Sequence, residues 1–295
     1  MKTFLSDHGY LTLGYHKVVS AERMLSEDLE LAIDRERFRR QISFLRKTGY
    51  RFVTLSDLAV LKKSKAPGKY AAITFDDGSR DIFNHAFPVL RDFHAPATVF
   101  VITNFVGQDS FFPWDLEFQR QGKINLSRED TSMSWDELSQ LVRDGWEIGS
   151  HTQSHPFLTE IPLSQAEKEI SESKRILENT LEIRVTSFCY PAGYANLQLA
   201  LLTEACGYEC AVISFTSLRR PNGDISPEHG EYTINRVSVY RGDGMLKYFT
   251  KTIGLWEVLQ SSALWTGVGV KILAQLRSVS QWIPMNKITR KTYEV

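Results

Sequence analysis

The sequence predicts an α/β protein in which parallel strands, each followed by a helix, close or nearly close into a barrel. Apolar runs such as KYAAITF at residues 69–75 do not alternate with polar residues, which is typical of strands covered on both faces. Segments with helical periodicity follow these runs along the chain, which indicates βα units. A chain of 295 residues is long enough for a closed barrel, which commonly takes about 250 residues.

Short segments supply the individual elements. Helices are predicted at RERFRRQISFLRKTGY, which Gly49 ends, and at LQLALLTEACGY. Two more are predicted at SWDELSQLVRDG and SQAEKEISESKRIL, where Ser134 with Glu137 and Ser164 with Glu167 have the spacing of a capping box. Besides KYAAITF, strands are predicted in YRFVTLSDL, as a short strand that leads to a turn, and at PATVFVI, WEIGSH, VTSFCYP and CAVISF.

Residues 104–133 interrupt this alternation, and we expect an irregular loop there. Loops of this length in compact domains are usually functional. The segment contains Phe111, Phe112 and Trp114, whose rings could stack on a sugar or could cover the core of the barrel.

Composition and charge exclude several classes of protein. Lysine plus arginine and aspartate plus glutamate number 35 each, so no global charge favours a nucleic-acid partner. The odd count of 3 cysteines argues against a disulfide framework and fits a reducing compartment. Ser6, Asp7 and His8 interrupt any apolar run of a signal peptide, so that we expect a cytoplasmic protein.

Polar residues directly after the predicted strands are the candidates for chemistry, because active sites of parallel barrels lie at the carboxyl ends of the strands. Four stretches qualify. They are LTLGYHKV with His16, ITFDDG with Asp76 and Asp77, EIGSHTQSH with His151 and His155, and SFCYPAG with Pro191 and Gly193.

The two histidines form a candidate metal site. A spacing of four residues places His151 and His155 on one face of a helical turn, where two imidazoles can converge on one cation. Alone, such a pair is weak evidence for a metal and is better explained by structural histidines. Together with a carboxylate from another strand end it predicts a site of two histidines and one carboxylate, with open positions for water and substrate.

The adjacent acids, Asp76 and Asp77, are expected to have different roles. Two neighbouring carboxylates cannot both stay charged and unpaired in a low-dielectric pocket, because repulsion and desolvation would protonate one of them. One acid can bind a cation while the other remains a base, its charge held by a neighbouring cationic group. The alternative is an exposed acidic turn ending at Gly78.

Two of these stretches match family motifs. TFDDG at Thr74–Gly78 and HTQSH at His151–His155 are the first two motifs of the polysaccharide deacetylases with a NodB-homology domain, carbohydrate esterase family 4. The chain resembles this family over about residues 10–240. The resemblance implies a distorted (β/α) barrel of the polysaccharide-deacetylase type with about seven parallel strands. It would occupy residues 1–245, and a C-terminal helical tail would occupy residues 246–295.

The resemblance also implies the activity, which is hydrolysis of an N-acetyl group from an amino sugar in a polysaccharide or a lipid-linked glycan precursor. By this resemblance Asp76 is the catalytic base, and the backbone N–H of Ala192 stabilises the oxyanion. Asp77, His151 and His155 would hold a divalent metal ion, most often Zn²⁺. The residues expected to contact the substrate are Pro191, Gly193, Tyr194 and Trp114.

Two features depart from the common pattern of the family. Cys189 stands in CYPAG where the third motif has an arginine that orients the base, and the resemblance to a YPxG branch suggests Arg236 from a later strand instead. The late LxH motif, which supplies the general acid, is also absent. In a branch that begins with a YH strand the acid comes from the N-terminal part, so His16 in GYHKV is its candidate, with a buried core histidine as the alternative.

The sequence leaves two alternatives for the activity open and disfavours a third. The protein could be an O-acetyl esterase acting on a glycan, or a glycan-binding member without catalysis. A non-haem iron oxygenase has a similar ligand set, but its HisxAsp order on a jelly roll disagrees with this α/β pattern.

Basic residues with Trp256, Trp265 and Trp282 in the tail indicate either a helix docked on the barrel or peripheral contact with a membrane surface.

Overall fold

Parallel strands close into a barrel in the computed structural model, which describes residues 9–214 and 227–253. In chain order its strands are β1 (Tyr10–Tyr15), β2 (Lys17–Val19), β3 (Ala32–Asp34), β4 (Arg51–Val53), β5 (Tyr70–Phe75), β6 (Thr98–Val101), β7 (Glu147–Ser150), β8 (Ser187–Cys189), β9 (Cys210–Ser214) and β10 (Ile234–Ser238). The ring runs β1-β10-β9-β8-β7-β6-β5 and closes through pairing of β5 with β1. The prediction of a barrel with about seven parallel strands is therefore confirmed.

Helices cover the outside of this ring. They are α1 (Ala21–Ser26), α2 (Arg35–Lys47), α3 (Leu55–Lys63), α4 (Phe87–Asp92), α5 (Pro113–Arg120), α6 (Trp135–Arg143), α7 (Leu163–Leu181), α8 (Leu197–Ala205) and α9 (Met245–Thr252). Strand β4 lies outside the ring and pairs with the first half of β5, and β2 pairs with β3 in a separate small sheet.

The pairing of β1 with β5 fixes the position of the candidate site. The two strands are in register over their whole length, from Tyr10 opposite Tyr70 to Tyr15 opposite Phe75. Every residue of β5 is buried, as its continuous apolar run predicts. Because both strands end at the same level, His16 and Asp76 follow them side by side at the carboxyl end of the barrel.

One of the two expected capping boxes is present. Ser134 and Glu137 exchange side-chain-to-backbone hydrogen bonds at the start of α6, as predicted. The prediction of a second capping box with Ser164 as N-cap is wrong, because α7 already begins at Leu163 after Pro162. The carbonyl of Pro162 accepts the first helical hydrogen bonds, from the backbone N–H groups of Gln165 and Ala166, so Ser164 lies inside the first turn.

The segment of residues 104–133 is more ordered than the sequence suggests. It contains α5 and a 3-10 turn at Arg128–Asp130, and Phe111 and Thr131 form an antiparallel bridge. The expectation of an irregular loop is therefore wrong over much of its length. A proline at the first position of α5 favours the start of that helix.

A buried ion cluster holds this segment against the barrel. The Lys17 ammonium lies 2.7 Å from Asp115 Oδ2 and 2.9 Å from Asp130 Oδ1, and Arg23 also pairs with Asp130 at 2.8 Å. Burial lowers the pKa of Lys17, but the two carboxylates outweigh it and raise that pKa above its usual value. Lys17 therefore stays charged and links β2 to α5 and to the 3-10 turn.

The described part of the expected tail packs on the barrel. Tyr248 of α9 is fully buried, and its hydroxyl lies 3.5 Å from that of Tyr15. Within residues 9–214 and 227–253, no helix has the length and hydropathy needed to cross a bilayer. Trp256, Trp265 and Trp282 lie outside the described residues, so membrane contact through residues 254–295 stays a prediction.

The ion cluster predicts an unequal response to the loss of two lysines. Lys17→Met should lower the free energy of unfolding by about 3–5 kcal/mol, because it leaves Asp115 and Asp130 with less compensating charge in the interior. Lys63, whose side chain is 77% exposed and 3.4 Å from Glu231, provides the matched control. Lys63→Met should change stability by less than about 1 kcal/mol in urea unfolding. Equal losses in the two variants would contradict the prediction.

Candidate active site

The centre of the site is a buried ion pair between Asp76 and Arg236. Nη1 of the guanidinium lies 2.6 Å from Oδ1 of the carboxylate, and Nη2 lies 2.7 Å from Oδ2. Asp76 directly follows β5, and its backbone N–H still donates to Tyr15 in the strand ladder. Arg236 lies on β10 opposite Ser214 of β9. The bidentate geometry fixes the orientation of the Asp76 carboxylate.

Neighbouring residues shape the space in which Arg236 lies. Nη1 also donates to the hydroxyl of Thr74, and Nη2 to that of Ser214, at 3.1 and 2.9 Å. A Cβ atom at Gly14 would be in ordinary van der Waals contact with the guanidinium, 3.4 Å from Nε, so Gly14 lines this space. Cys189, which stands at the arginine position of the third motif, places its sulfur 3.3 Å from Nη2.

Arg236 keeps Asp76 ionised. Burial would raise the pKa of Asp76, but the charge and hydrogen bonds of Arg236 outweigh it and hold that pKa well below its usual range. Burial raises the pKa of the Cys189 thiol well above its usual value, so the protonated sulfur can donate to Asp76 Oδ1 at 3.5 Å. Asp76 is thus a charged carboxylate with both oxygens fixed.

His16 lies on the other side of Asp76. Its Nε2 atom is 3.7 Å from Oδ2 of the carboxylate, and its side chain is 24% exposed. Nδ1 is buried and has no hydrogen-bond partner among the described residues. Burial lowers the pKa of His16 to about 4, although the charge of Asp76 opposes this shift. The imidazole is therefore neutral at neutral pH, and Nε2 is its atom closest to the ion pair.

A second group, Asp77, His151 and His155, brings together two imidazoles and one carboxylate. One ligand atom of each residue lies within 4.8 Å of the others, and Asp77 Oδ1 is 3.7 and 3.9 Å from the two Nε2 atoms. The predicted helical turn between the histidines is wrong. Thr152 and His155 have φ of 69° and 64°, so the chain makes a loop with left-handed residues, and the imidazoles converge by a different backbone path.

The donor set fits a divalent metal ion. Nδ1 of His151 donates to the carbonyl of Cys189 at 2.8 Å, which leaves Nε2 free of its proton and available as a ligand. Burial lowers the pKa of both histidines, so each is in the neutral form that binds metals. Two imidazoles and one carboxylate, with room for water or substrate, are typical of catalytic zinc sites.

The Asp77 carboxylate supports the same assignment. The backbone of Asp77 has φ of 67°, so the chain leaves the strand direction at this residue. The side chains of Asp76 and Asp77 can therefore both point toward the candidate site. Burial and, after it, repulsion from Asp76 raise the pKa of Asp77 well above its usual value. Arg236 binds both oxygens of Asp76. Of the two acids, Asp77 is therefore the one available to a cation.

The turn at Pro191–Gly193 lies beside this centre. Ala192 is left-handed there, with φ of 55°. A Cβ atom at Gly193 would lie 2.4 Å from the backbone nitrogen of Ser214, so this glycine is required by close packing against β9. Pro191 is buried, whereas Tyr194 is half-buried with its ring 6.3 Å from that of Phe157. The geometry assigns Gly193 to packing, and Tyr194 is the residue of this turn suited to the rim.

Trp114 lies beside one histidine of the candidate metal site. Its ring centroid lies 4.9 Å from that of His155, and its other neighbour is the Phe112 ring, stacked at 5.1 Å. Phe112 is fully buried and belongs to the core, whereas Trp114 is half-buried. The neighbouring Asp115 is bound by Lys17, so the ion cluster holds the helix turn that carries Trp114.

The family follows from comparison with known proteins. The sequence profile of the polysaccharide deacetylase family matches residues 63–211. The chain belongs to this family. Its relatives include the poly-beta-1,6-N-acetyl-D-glucosamine N-deacetylase of Staphylococcus epidermidis, which is 29% identical over 248 residues, 78% of each chain.

Solved structures agree with the barrel. The Streptococcus pyogenes deacetylase PplD in complex with acetate superimposes with a TM-score of 0.63 at 21% identity, over 82% of this chain and 97% of its own. IcaB from Ammonifex degensii gives 0.62 at 23% identity, over 84% of this chain and 96% of its own. The family and the fold identify a hydrolase of the polysaccharide deacetylase type.

Several contacts in this polysaccharide deacetylase were missed by sequence reasoning. The Ser214 hydroxyl accepts from Arg236 and the Cys189 carbonyl accepts from His151, and nothing in the strand pattern indicates either contact. Gly14, beside the Arg236 guanidinium, did have a signal, because a glycine inside a strand indicates the close approach of another group. The residues expected at the centre, Asp76, Asp77, His16, His151, His155 and Arg236, lie together.

The ion pair predicts how stability depends on its two members. Arg236→Met should lower the free energy of unfolding by about 3–5 kcal/mol, because the Asp76 charge is left buried and unpaired. Adding Asp76→Asn should recover much of that loss, since it removes the charge. Urea unfolding of both single variants and the double variant measures the coupling. A double variant no more stable than Arg236→Met alone would contradict the prediction.

Proposed function

We propose that this protein hydrolyses N-acetyl groups of an amino sugar in a polysaccharide, with a divalent metal ion held by Asp77, His151 and His155. The observation that carries the proposal is that the two adjacent acids have different partners. Asp76 is bound at both oxygens by Arg236, and Asp77 faces two neutral imidazoles. A charged base beside a metal-binding set is an arrangement that can hydrolyse an unactivated amide.

Zn²⁺ is the ion that best suits two histidines and one carboxylate with an open position. When bound, the ion supplies Lewis-acid chemistry that makes the acetyl carbon more electrophilic. The same residues accommodate other divalent metals, since geometry and metal supply decide between them.

Asp76 acts as the general base. Its carboxylate is ionised at neutral pH and held in one orientation by Arg236, so it can accept the proton of a water molecule that adds to the acetyl carbon. Its low pKa makes Asp76 a weak base, because Arg236 stabilises the negative charge that is lost when the carboxylate accepts a proton. The orientation of the carboxylate is thus gained at some loss of basicity.

His16 supplies the proton to the leaving nitrogen. The imidazole is neutral in the resting site, so the proton must arrive during the reaction rather than being stored beforehand. Asp76 lies 3.7 Å away and holds a proton after water has attacked. Transfer through His16 Nε2 to the nitrogen of the breaking C–N bond returns Asp76 to its charged form and releases a free amine and acetic acid, which keeps the second proton of the water and then ionises to acetate.

The substrate class rests on the relatives and on the rims of the site. The similarity to a poly-beta-1,6-N-acetyl-D-glucosamine N-deacetylase favours a polymer of N-acetylated hexosamine, free or on a lipid carrier. Trp114, whose ring lies beside that of His155, and Tyr194, which follows the turn at Pro191–Gly193, are half-buried aromatic residues that suit stacking on sugar rings. The backbone N–H of Ala192 is proposed as a donor to the oxyanion.

Acetate release tests the proposal directly. Poly-β-1,6-N-acetylglucosamine and chitin oligomers should release acetate after addition of Zn²⁺, and a chelator should abolish the release. Asp76→Asn should reduce turnover by about 10²–10⁴-fold, because the general base is lost. Asp109→Asn, at an exposed position, is the matched control and should leave turnover unchanged.

The outcomes separate the competing activities. Acetate released from O-acetylated but not N-acetylated glycans would replace the proposal by the esterase alternative. Glycan binding without release from any acetylated substrate, with Zn²⁺ present, would favour a non-catalytic member of the family.

The role of His16 predicts a dependence on the leaving group. His16→Ala should slow hydrolysis of N-acetyl glycans by about 10²-fold or more, because an amine must be protonated as it leaves. Hydrolysis of 4-nitrophenyl acetate should be affected much less, since nitrophenolate leaves without a proton. His94→Asn, at an exposed position, is the control. Equal losses on both substrates would show that His16 has another role.

A further inference from the structure

We propose that Glu169 of α7 is a positioning residue for the metal ligands, which it serves by holding the loop His151–His155 in shape. The inference rests on the metal site of the proposed function. Glu169 is not itself a ligand in that site, because it binds Gln153 and Ser154 between the two histidines. The inference is supported by hydrogen bonds, by backbone conformation and by the position of α7 behind the loop.

The Glu169 carboxylate binds the middle of the loop. Oε2 accepts the backbone N–H groups of Gln153 at 2.9 Å and Ser154 at 3.0 Å, and Oε1 accepts the Ser154 hydroxyl at 2.7 Å. One side chain thus satisfies two consecutive backbone donors between the two histidines. Hydrogen bonds to an ionised acceptor are roughly twice as strong as neutral ones.

The loop needs such support because its conformation is unfavourable. Thr152 and His155 have positive φ, and for a β-branched residue such as Thr152 this conformation is rare. Each left-handed residue other than glycine costs about 1–2 kcal/mol. The path nevertheless determines where His155 lies relative to His151. Interactions that the extended or helical alternatives lack must therefore stabilise it.

Other bonds to the loop leave a role for Glu169. The backbone N–H of His155 donates to the Thr152 hydroxyl, and the carbonyls of Thr152 and Gln153 accept from the residues that follow β6. These contacts satisfy the carbonyl side of the loop and its end. Among the described residues, the N–H groups of Gln153 and Ser154 have Glu169 as their acceptor.

Helix α7 is a rigid base for this contact. The Ser173 hydroxyl lies 2.6 Å from that of Ser150, the last residue of β7, and the Gln153 side chain donates to the carbonyl of Lys168 at 3.1 Å. Glu169 is half-buried, so its charge is not costly to desolvate. Because α7 is fixed to the strand that His151 follows, its position determines the position of the loop.

Zinc affinity provides the test. In competition with a chromophoric chelator, the metal-free Glu169→Ala protein should bind Zn²⁺ about 10–100-fold more weakly than the unchanged protein, as found for residues that orient metal ligands. Glu169→Gln retains an acceptor oxygen for both N–H groups and should bind more tightly than Glu169→Ala. Glu167→Ala, an exposed position on the same helix, is the matched control and should bind as the unchanged protein does.

Thermal unfolding of the metal-free proteins separates positioning from loss of structure. Glu169→Ala should still unfold in one cooperative transition, at a somewhat lower temperature than Glu167→Ala because its hydrogen bonds to the loop are lost, while the rise in melting temperature on adding Zn²⁺ should be smaller for Glu169→Ala. Equal zinc affinity of Glu169→Ala and the unchanged protein would overturn the inference. An unchanged protein that binds no Zn²⁺ would instead overturn the metal site of the proposed function.

Discussion

Two adjacent carboxylates buried at the end of β5 impose the constraint on which the rest of the site depends. Asp76 and Asp77 repel each other, and both are nearly inaccessible to water, so each requires a different source of positive charge. Arg236 meets this need for Asp76 through a bidentate pair. The surroundings of Asp77 contain neutral imidazoles, which leaves a cation as its natural partner. The two acids are chemically distinct because their neighbours are.

The closed barrel is what allows this arrangement. Asp76 and Arg236 are 160 residues apart in the chain. They meet because β1 closes the ring by pairing with β5 on one side and with β10 on the other. That strand carries Gly14, which lies beside the guanidinium. His16 directly follows the same strand. One short element therefore closes the barrel, lines the space of Arg236 and positions the proposed acid.

Local patterns predicted what depends on local forces. Buried runs such as β5, the helical periodicities and the capping box at Ser134 depend on neighbouring residues, so the sequence was sufficient for them. The loop at His151–His155 was predicted as a helical turn because spacing alone does not show that Thr152 takes a positive φ. That conformation depends on acceptors from other elements, Glu169 among them. The ordered segment around α5 likewise depends on Lys17, which is distant in the sequence.

The replacement of the motif arginine by Cys189 follows from the same geometry. The sulfur of Cys189 lies 3.3 Å from Arg236 Nη2 and 3.5 Å from Asp76 Oδ1, so a longer side chain here would occupy the space of the guanidinium. Two arginines could not share one carboxylate without an uncompensated buried charge. A small, uncharged residue at this position and an arginine on β10 are therefore linked choices. Cys189 also orients His151 through its carbonyl, a contact that its side chain does not determine. The backbone of residue 189 thus orients a proposed metal ligand, His151, while the positive charge beside Asp76 comes from Arg236 of β10.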